Sequence, residues 1–464
     1  MKGLAVAVLA AGKGTRMKSS LVKVLHPLAG RPMLLHVFDA VMTLRPERVV
    51  AVLGHQAGEV AKVLPEGVTV ALQKEQLGTA HAALTGLRRL KGFNGTVMVV
   101  SGDAPLVSAD TLRRLAARHR AAGAAMSVLT ARLEDPAGYG RIIRGAGGAL
   151  RIVEHKDASR AERAVCEVNA GTYCFEVRAL KAALKTVRAD NAQGELYLTD
   201  VAAAVSGMGG KVMAVETSRP EEAKGINSRA DLAEAERAIR RRINTRLMES
   251  GVTIIDPEAA YISAGAVIGR DTVIHPGNHI TGDTVIGARC VLMPGNLISG
   301  SALKDGVVVK GCSVIEDSCV EAGASVGPFA HLRPGSTVGA QARVGNFVEL
   351  KKTVMGRGAK ASHLSYLGDT VIGKGANIGA GTITCNYDGY DKYQTIIGAG
   401  VFVGSDTQLI APVRVGRGAV IAAGTTVTAD VPEDALAISR TPQTNRPGWA
   451  RARRLAKTKI KRKT

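Results

Sequence analysis

Apolar positions recur with two different periods along this chain. From Leu4 to about residue 227, short β-branched runs alternate with helical patterns. The runs are LAVAVLAA (4–11), RVVAVLG (48–54), VTVAL (68–72), TVMVV (96–100) and AMSVLTA (125–131), and TLRRLAARHRAAG (111–123) has helical spacing. The alternation predicts a Rossmann-like α/β unit with a largely parallel sheet and helices on both faces. Ligands in such sheets sit beyond the carboxyl ends of the strands. Residues 228–250 then read as one helix. Ser228 and Asp231 form a capping box, Leu232, Ala235, Ile239, Ile243 and Leu247 keep helical spacing, and Gly251 ends it.

From residue 262 the period becomes six. Ile262, Ile268, Ile274, Ile280, Ile286, Leu292 and Ile298 follow one another without a gap. The phase then slips by four and resumes at Val308, Val314, Val320, Val326, Leu332, Val338, Val344 and Leu350. A third run holds Ile397, Val403, Leu409, Val415, Ile421 and Val427. A strict period of six predicts a parallel β-helix of hexapeptide repeats, each aliphatic side chain pointing into the coil. The segment CNYDGYDKYQ (385–394) interrupts the repeat, and long loops on a rigid scaffold tend to carry sites. The expected organisation is therefore 1–227, a linker helix at 228–250, and a repeat domain at 251–464.

Composition fits this division. Aromatic residues are only 3% and glycines number 54, which suits a coil of small aliphatic side chains and many turns. No apolar run is long enough for a transmembrane helix. The start, MKGLAVAVLAAGKGTR, superficially resembles a signal peptide, but a buried strand entering a phosphate loop explains it better. The six cysteines form no CxxC pair and no histidine cluster completes a zinc site, so reduced thiols in a cytoplasm are expected. The formal net charge is +21, and Arg451–Thr464 contribute eight basic residues and no acid. Such a balance attracts phosphorylated small molecules, nucleic acid and anionic surfaces alike. The tail reads as a solvated, disordered end without interleaved aromatics, so neither a specific nucleic-acid partner nor membrane insertion is expected. Trp449, just before it, is a candidate to stack on the adenine of CoA.

Candidate chemistry lies at both ends. LAAGKGTR (9–16) follows a strand, and Gly12 and Gly14 let backbone amides approach phosphate oxygens, with Lys13, Arg16 and Lys23 to neutralise them. The loop is neither a Walker motif nor a dinucleotide fingerprint. In VMVVSGDAPL (97–106), Asp103 reads equally as a Mg²⁺ ligand or as the cap of the next turn. In the repeats, His363 stands among basic and amide side chains where the coil is broken, and a histidine is the natural base for acyl transfer to an amine. Cys385 nearby reads as a packed small residue.

Taken together, LAAGKGTRM, QLGTAHA (76–82), SGDAPL (101–106), GYGRI (138–142), VEHKD (153–157), NAGTY (169–173) and GIN (225–227) resemble the sugar-nucleotide pyrophosphorylases, and specifically the N-acetylglucosamine-1-phosphate uridylyltransferases. The resemblance runs from Leu4 to about Trp449. It implies that Leu9, Ala10, Ala11, Gly12, Arg16 and Lys23 hold the nucleotide phosphates of UTP. It implies that Gln73, Gly78 and Thr79 read uracil, with Ser101 and Gly102 beside them. Asp103 and Asn227 would bind Mg²⁺, and Gly140, Glu154 and Asn169 the N-acetylglucosamine. Val22 and Ser101 depart from the family pattern, which usually has Pro and often Tyr there.

HLRPGSTVG (331–339), GNFVELKK (345–352), SHLSYLGD (362–369), GAGTITCNYDG (379–389) and VGSDTQLIAPV (403–413) resemble the acetyltransferase half of the same family. They imply that His363 deprotonates the amine of glucosamine 1-phosphate. Arg333 and Lys351 would bind its phosphate, Tyr366 and Asn377 its sugar. Glu349 would orient the reacting groups with Asn386 and Tyr387, and Ala380, Asn386, Tyr387, Ser405, Ala423 and Arg440 would contact acetyl-CoA. The resemblance further implies a left-handed coil and a homotrimer with sites between subunits. The rival expectation is a single-function pyrophosphorylase whose coil only assembles the oligomer.

Overall fold

A computed structural model describes residues 2–145 and 150–461, the last four of these by their backbone alone. The chain forms two compact units, Met1–Arg246 with Tyr261–Ala264, and Leu247–Ala260 with Gly265–Thr464.

In the first unit the β-branched runs become β1 (Leu4–Ala10), β2 (Arg48–Leu53), β3 (Thr69–Leu72), β4 (Thr96–Ser101) and β5 (Met126–Arg132). A hairpin of β6 (Arg141–Arg144) and β7 (Leu150–Val153) follows, then β8 (Glu167–Glu176) and β9 (Val212–Glu216). The sheet order is β9-β5-β8-β4-β1-β2-β3. β1 lies parallel to β2 and β4 at the centre, and its residues Leu4–Val8 are almost wholly buried. The apolar run that begins at Leu4 is thus core. The sheet is mixed, because β8 runs antiparallel to both β4 and β5. Alternation of strands and helices does not reveal direction where a hairpin intervenes, as β6 and β7 do before β8. The register of β8 against β5 shifts between Asn169 and Tyr173, with Gly171 at φ 67°, and such a bulge re-aims side chains.

The helix Arg229–Glu249 begins as its capping box requires. The Ser228 hydroxyl accepts from Asp231 N–H at 3.2 Å, and the Asp231 carboxylate accepts from Ser228 N–H at 2.8 Å. Ala235, Ile239, Ile243 and Leu247 are buried, and Leu232 half-buried.

In the second unit, strands of mostly two or three residues stack in parallel. Val267 pairs with Val285 and Val273 with Val291, each eighteen positions on, so three six-residue units make one coil. The inward side chains through the phase slip are Leu303, Val309 and Ile315, all 1% exposed or less. This corrects the expected Val308 and Val314, which are half-buried. Both residues of those strands are aliphatic, so period alone does not choose between them, and two five-residue steps, Ile298 to Leu303 and Ile315 to Val320, absorb the slip of four. The expected disorder of the tail is also corrected, since Trp449–Lys461 is an α-helix. Ala450, Ala452, Leu455 and Ala456 interleave with Arg and Lys there, and all are strong helix formers. Residues 462–464 of the tail lie outside the described residues. All six cysteines are free, and no helix among the described residues is long and apolar enough to cross a membrane.

Candidate active sites

The first site lies beyond the carboxyl ends of β1 to β4. After β1 the chain turns through Gly14 at φ 62°, where a Cβ would stand 2.4 Å from Lys23 Cβ, so glycine is required for Lys23 to pack under the loop. Lys23 is 9% exposed. Its ammonium contacts Asp103 Oδ2 and donates to Asn227 Oδ1 at 2.9 Å. Arg16 donates to the same Asn227 oxygen at 2.9 Å. Asp103 and Asn227, 124 residues apart in sequence, therefore present their oxygens to one cation position. Their backbones are fixed too. Ile226 N–H donates to Asp103 C=O at 2.9 Å, and Asp231 accepts from Asn227 N–H at 2.8 Å. Sequence reading assigned Asp231 to the helix cap alone.

Around this cluster runs a cleft. One part, about 740 Å³, is lined by Leu9, Ala11, Gly12, Gln73, Gly78 and Thr79 among others. A part of about 250 Å³ shares Asp103 with it and adds Ala10, Arg16, Lys23 and Asn227. A third, about 510 Å³, holds Arg16, Glu154, Lys156 and Tyr197. In the first, Gln73 is buried and its amide donates to Gly78 C=O at 3.2 Å and meets His81 Nδ1 at 3.1 Å. That turns its carbonyl oxygen into a fixed acceptor. Thr79 Oγ1 accepts from Leu198 N–H at 2.9 Å. Gly102 N–H donates to Leu9 C=O at 2.8 Å, and Ser101 Oγ reaches Gly171 C=O at 3.3 Å, which ties the β1 edge to the β8 bulge. Val22 is buried, so the residue replacing the family's proline still packs.

On the far side, Asn169 N–H donates to Gly140 C=O at 2.9 Å, and Thr199 Oγ1 donates to Glu154 Oε1 at 3.1 Å. Burial pushes the Glu154 carboxyl above its ordinary value; the Thr199 hydrogen bond works the other way. Thr199 stands in no recognisable loop motif and was missed; His81 lies within QLGTAHA (76–82), but its contact with Gln73 only the fold reveals.

The second site is built where the coil carries its two longest strands, β10 (Arg343–Lys351) and β11 (Lys360–Gly368). They pair continuously, Asn346 with His363, Glu349 with Tyr366 and Lys351 with Gly368. Exposed His363 has its Nδ1 2.6 Å from Asn346 Oδ1. With Nδ1 protonated and donating there, Nε2 is left as the acceptor a general base needs. Asn346 was missed by sequence reading.

From His363 one corner of the coil rises as a column. Gly381 N–H donates to Leu364 C=O, Asp406 N–H to Ala380 C=O and Gly424 N–H to Ser405 C=O, at 2.7–2.9 Å. Arg440 then donates to Ala423 C=O at 2.6 Å. Asn346, His363, Ala380, Ser405, Ala423 and Arg440 thus stand on successive coils.

Beside the column is a second cluster. Arg333 donates to Glu349 at 3.0 Å. Lys392, from the 385–394 insertion, approaches Lys351 and holds its ammonium below the usual lysine range, with burial adding to the effect. Lys392 is a further cation that sequence reading missed. Asn386 donates to Asp369 at 2.5 Å, and the Asn386 amide and Tyr366 hydroxyl both crowd Gly368. Asn377 is half-buried on the strand pairing with the start of β11. Tyr387, 58% exposed, donates to Gly389 C=O rather than to another site residue.

Comparison with known proteins agrees with both halves. Residues 6–196 match the family described as MobA-like NTP transferase domain, and residues 265–300 and 394–429 match the bacterial transferase hexapeptide (six repeats). A protein of Pelobacter propionicus named Bifunctional protein GlmU is 52% identical over 452 residues, 97% of this chain and 98% of that protein. Proteins of the same name from Geobacter sulfurreducens and Brevibacillus brevis are 51% and 50% identical, each over 97% of this chain and 98% of the relative. The chain belongs to the bifunctional GlmU family. As a GlmU it is a uridylyltransferase and an acetyltransferase of UDP-N-acetylglucosamine synthesis, which feeds peptidoglycan. GlmU similarity across both units removes the reading in which the coil only assembles an oligomer.

Proposed function

We propose that the two sites act in sequence on one sugar phosphate. Residues 251–464 acetylate glucosamine 1-phosphate from acetyl-CoA, and residues 1–227, joined through the helix at 228–250, transfer uridylyl from UTP to the product and release pyrophosphate. At the second site His363 Nε2 takes a proton as the amine attacks the thioester carbonyl; the CoA thiolate leaves, with no acyl-enzyme. Arg333, Lys351 and Lys392 hold the phosphate, Tyr366 and Asn377 the sugar. Glu349, Asn386 and Tyr387 orient the reactants, and Ala380, Ser405, Ala423 and Arg440 line the path of acetyl-CoA.

At the first site the sugar phosphate oxygen attacks the α-phosphorus of UTP. No protein nucleophile is needed; alignment and charge neutralisation suffice. Asp103 and Asn227 turn two hard oxygens toward one position, held here by the Lys23 ammonium; with Lys23 turned to the phosphates, that pair suits Mg²⁺ bound by few protein groups and several substrate oxygens. Mg²⁺ bound there supplies neutralisation of the triphosphate. Lys23 and Arg16 add positive charge, Gln73 and Thr79 select uracil, and Glu154 and Asn169 hold the sugar. That shared cation position is the observation on which the first-site assignment stands. Six free thiols and nucleotide substrates support a cytoplasmic setting.

We also propose a left-handed coil and a homotrimer. Phe329, Phe347 and Leu364, 51–60% exposed, form an apolar column beside Asn346 and His363, which favours sites completed by a neighbouring subunit.

The test is a coupled assay with glucosamine 1-phosphate, acetyl-CoA, UTP and Mg²⁺, scored for free CoA and UDP-N-acetylglucosamine. His363→Ala is expected to abolish CoA release while transfer to supplied N-acetylglucosamine 1-phosphate continues. Undiminished CoA release would remove His363 from the mechanism.

A further inference from the structure

The terminal helix Trp449–Lys461 follows the last strands of the coil. Residues 449–457 are exposed throughout, and Trp449 and Leu455 are 58% and 56% exposed. At 3.6 residues per turn, Trp449, Ala452, Leu455 and Ala456 fall within one arc of about 120°. Arg451, Arg453, Arg454 and Lys457 occupy the rest, with Ala450 the one apolar residue among them. The Arg453 guanidinium lies 5.9 Å from the Trp449 ring centroid, where the two arcs meet. From Arg451 to the end, the chain carries eight basic residues and no acid.

We propose that this helix lies along the surface of an anionic phospholipid bilayer without spanning it. The apolar arc sits at the boundary of headgroups and acyl chains, and the basic arc faces lipid phosphates. Three properties of the helix converge on that partner. An indole is well suited to the interface, where one side of the ring is apolar and the other wet. A narrow apolar stripe beside a dense basic face is the pattern of helices that lie in the plane of a membrane. Clusters of four to eight Lys and Arg on such a helix are drawn to negative lipid surfaces. Nucleic acid would engage the basic arc alone and leave Trp449 and Leu455 in water, so the bilayer satisfies more of the helix.

Trp449 is the only tryptophan in the chain, and its emission therefore reports on this helix alone. The full chain is mixed with vesicles of phosphatidylcholine, with or without about one third phosphatidylglycerol, or with duplex DNA, or with acetyl-CoA. Two variants run in parallel. One ends after Gly448. The other carries Arg451→Gln, Arg453→Gln, Arg454→Gln and Lys457→Gln and keeps the apolar arc. The intact chain is expected to sediment with the anionic vesicles only, with Trp449 emission shifted to the blue and binding weakened about tenfold or more by high salt. Both variants should stay in the supernatant and keep full uridylyl transfer, which reports that they are folded. Four outcomes would overturn the proposal. They are no sedimentation of the intact chain, equal sedimentation of the variant ending at Gly448, a response to DNA but not to vesicles, and an emission change with acetyl-CoA but none with lipid.

Discussion

Asp231 caps a helix and, through the same carboxylate, fixes Asn227. It accepts from the N–H groups of Asn227 and Ser228, both at 2.8 Å, and so sets where the Asn227 oxygen points. Hydrogen bonds to a charged group contribute about 1.5–3 kcal/mol. Asp231→Ala is therefore expected to lower uridylyl transfer about tenfold or more and to raise the Mg²⁺ concentration needed, while acetyl transfer is unchanged. Asp231→Asn keeps an acceptor oxygen and should recover most of the loss. A parallel fall of both activities would mean that Asp231 only supports the fold. Glu154 makes a prediction about pH. Burial raises its pKa, so this carboxylate, proposed to hold the sugar, is protonated at a higher pH than an exposed glutamate would be. As pH falls through the region just above the ordinary carboxylate range, KM for N-acetylglucosamine 1-phosphate should rise. In Glu154→Gln that dependence should vanish from the KM–pH profile. The folded state holds this proton more tightly, so the contribution of Glu154 to stability falls as pH rises from the unfolded to the folded pKa.

At the scale of elements, β10 and β11 do what the short strands do not. Their pairing continues around a corner, with Phe347 and Leu364 at φ 55° and 46°. The corner tolerates no extra atoms at Gly345, where a Cβ would stand 1.9 Å from Ser362 C=O. Gly345→Ala is expected to cost about 1–3 kcal/mol, as overpacking does, and to depress acetyl transfer by displacing β11 under His363. The melting transition of the second unit and the two activities would measure it; an unchanged melting point and full acetyl transfer would contradict the close contact. Most of this architecture was legible from the period of six, because an inward aliphatic at each step is a condition for closing the coil. Two things were not. Where adjacent residues are both aliphatic, as at Val308–Val309 and Val314–Ile315, periodicity leaves the inward one open. Asn346 and Lys392 lie within segments that the sequence marks, 345–352 and 385–394, but only register and the path of the insertion single them out from their neighbours. In the first unit, Lys23, Asp103 and Asn227 were legible as members of motifs, whereas their convergence on one cation position is a property of the sheet edge.

For the whole molecule, the exposed aromatic column decides whether one chain holds a complete acetyltransferase site. Phe329 and Phe347 stack with ring centroids 5.3 Å apart and planes 8° apart, and Leu364 follows on the next coil. Two exposed phenylalanines and a leucine in a row are costly in water, since full burial of each such side chain contributes about 1.5–3 kcal/mol. The column borders His363 and Asn346, so whatever covers it also walls the proposed base. If the cover is a second copy of this chain, a charge placed there must break the assembly and the site together. Phe347→Asp is expected to yield a monomer by sedimentation, to reduce acetyl transfer at least about a hundredfold, and to leave uridylyl transfer intact, because the first site draws every residue named above from its own unit. A monomer with full acetyl transfer would show that the site is complete within one chain. An unaltered oligomer would place the subunit contact on another face of the coil.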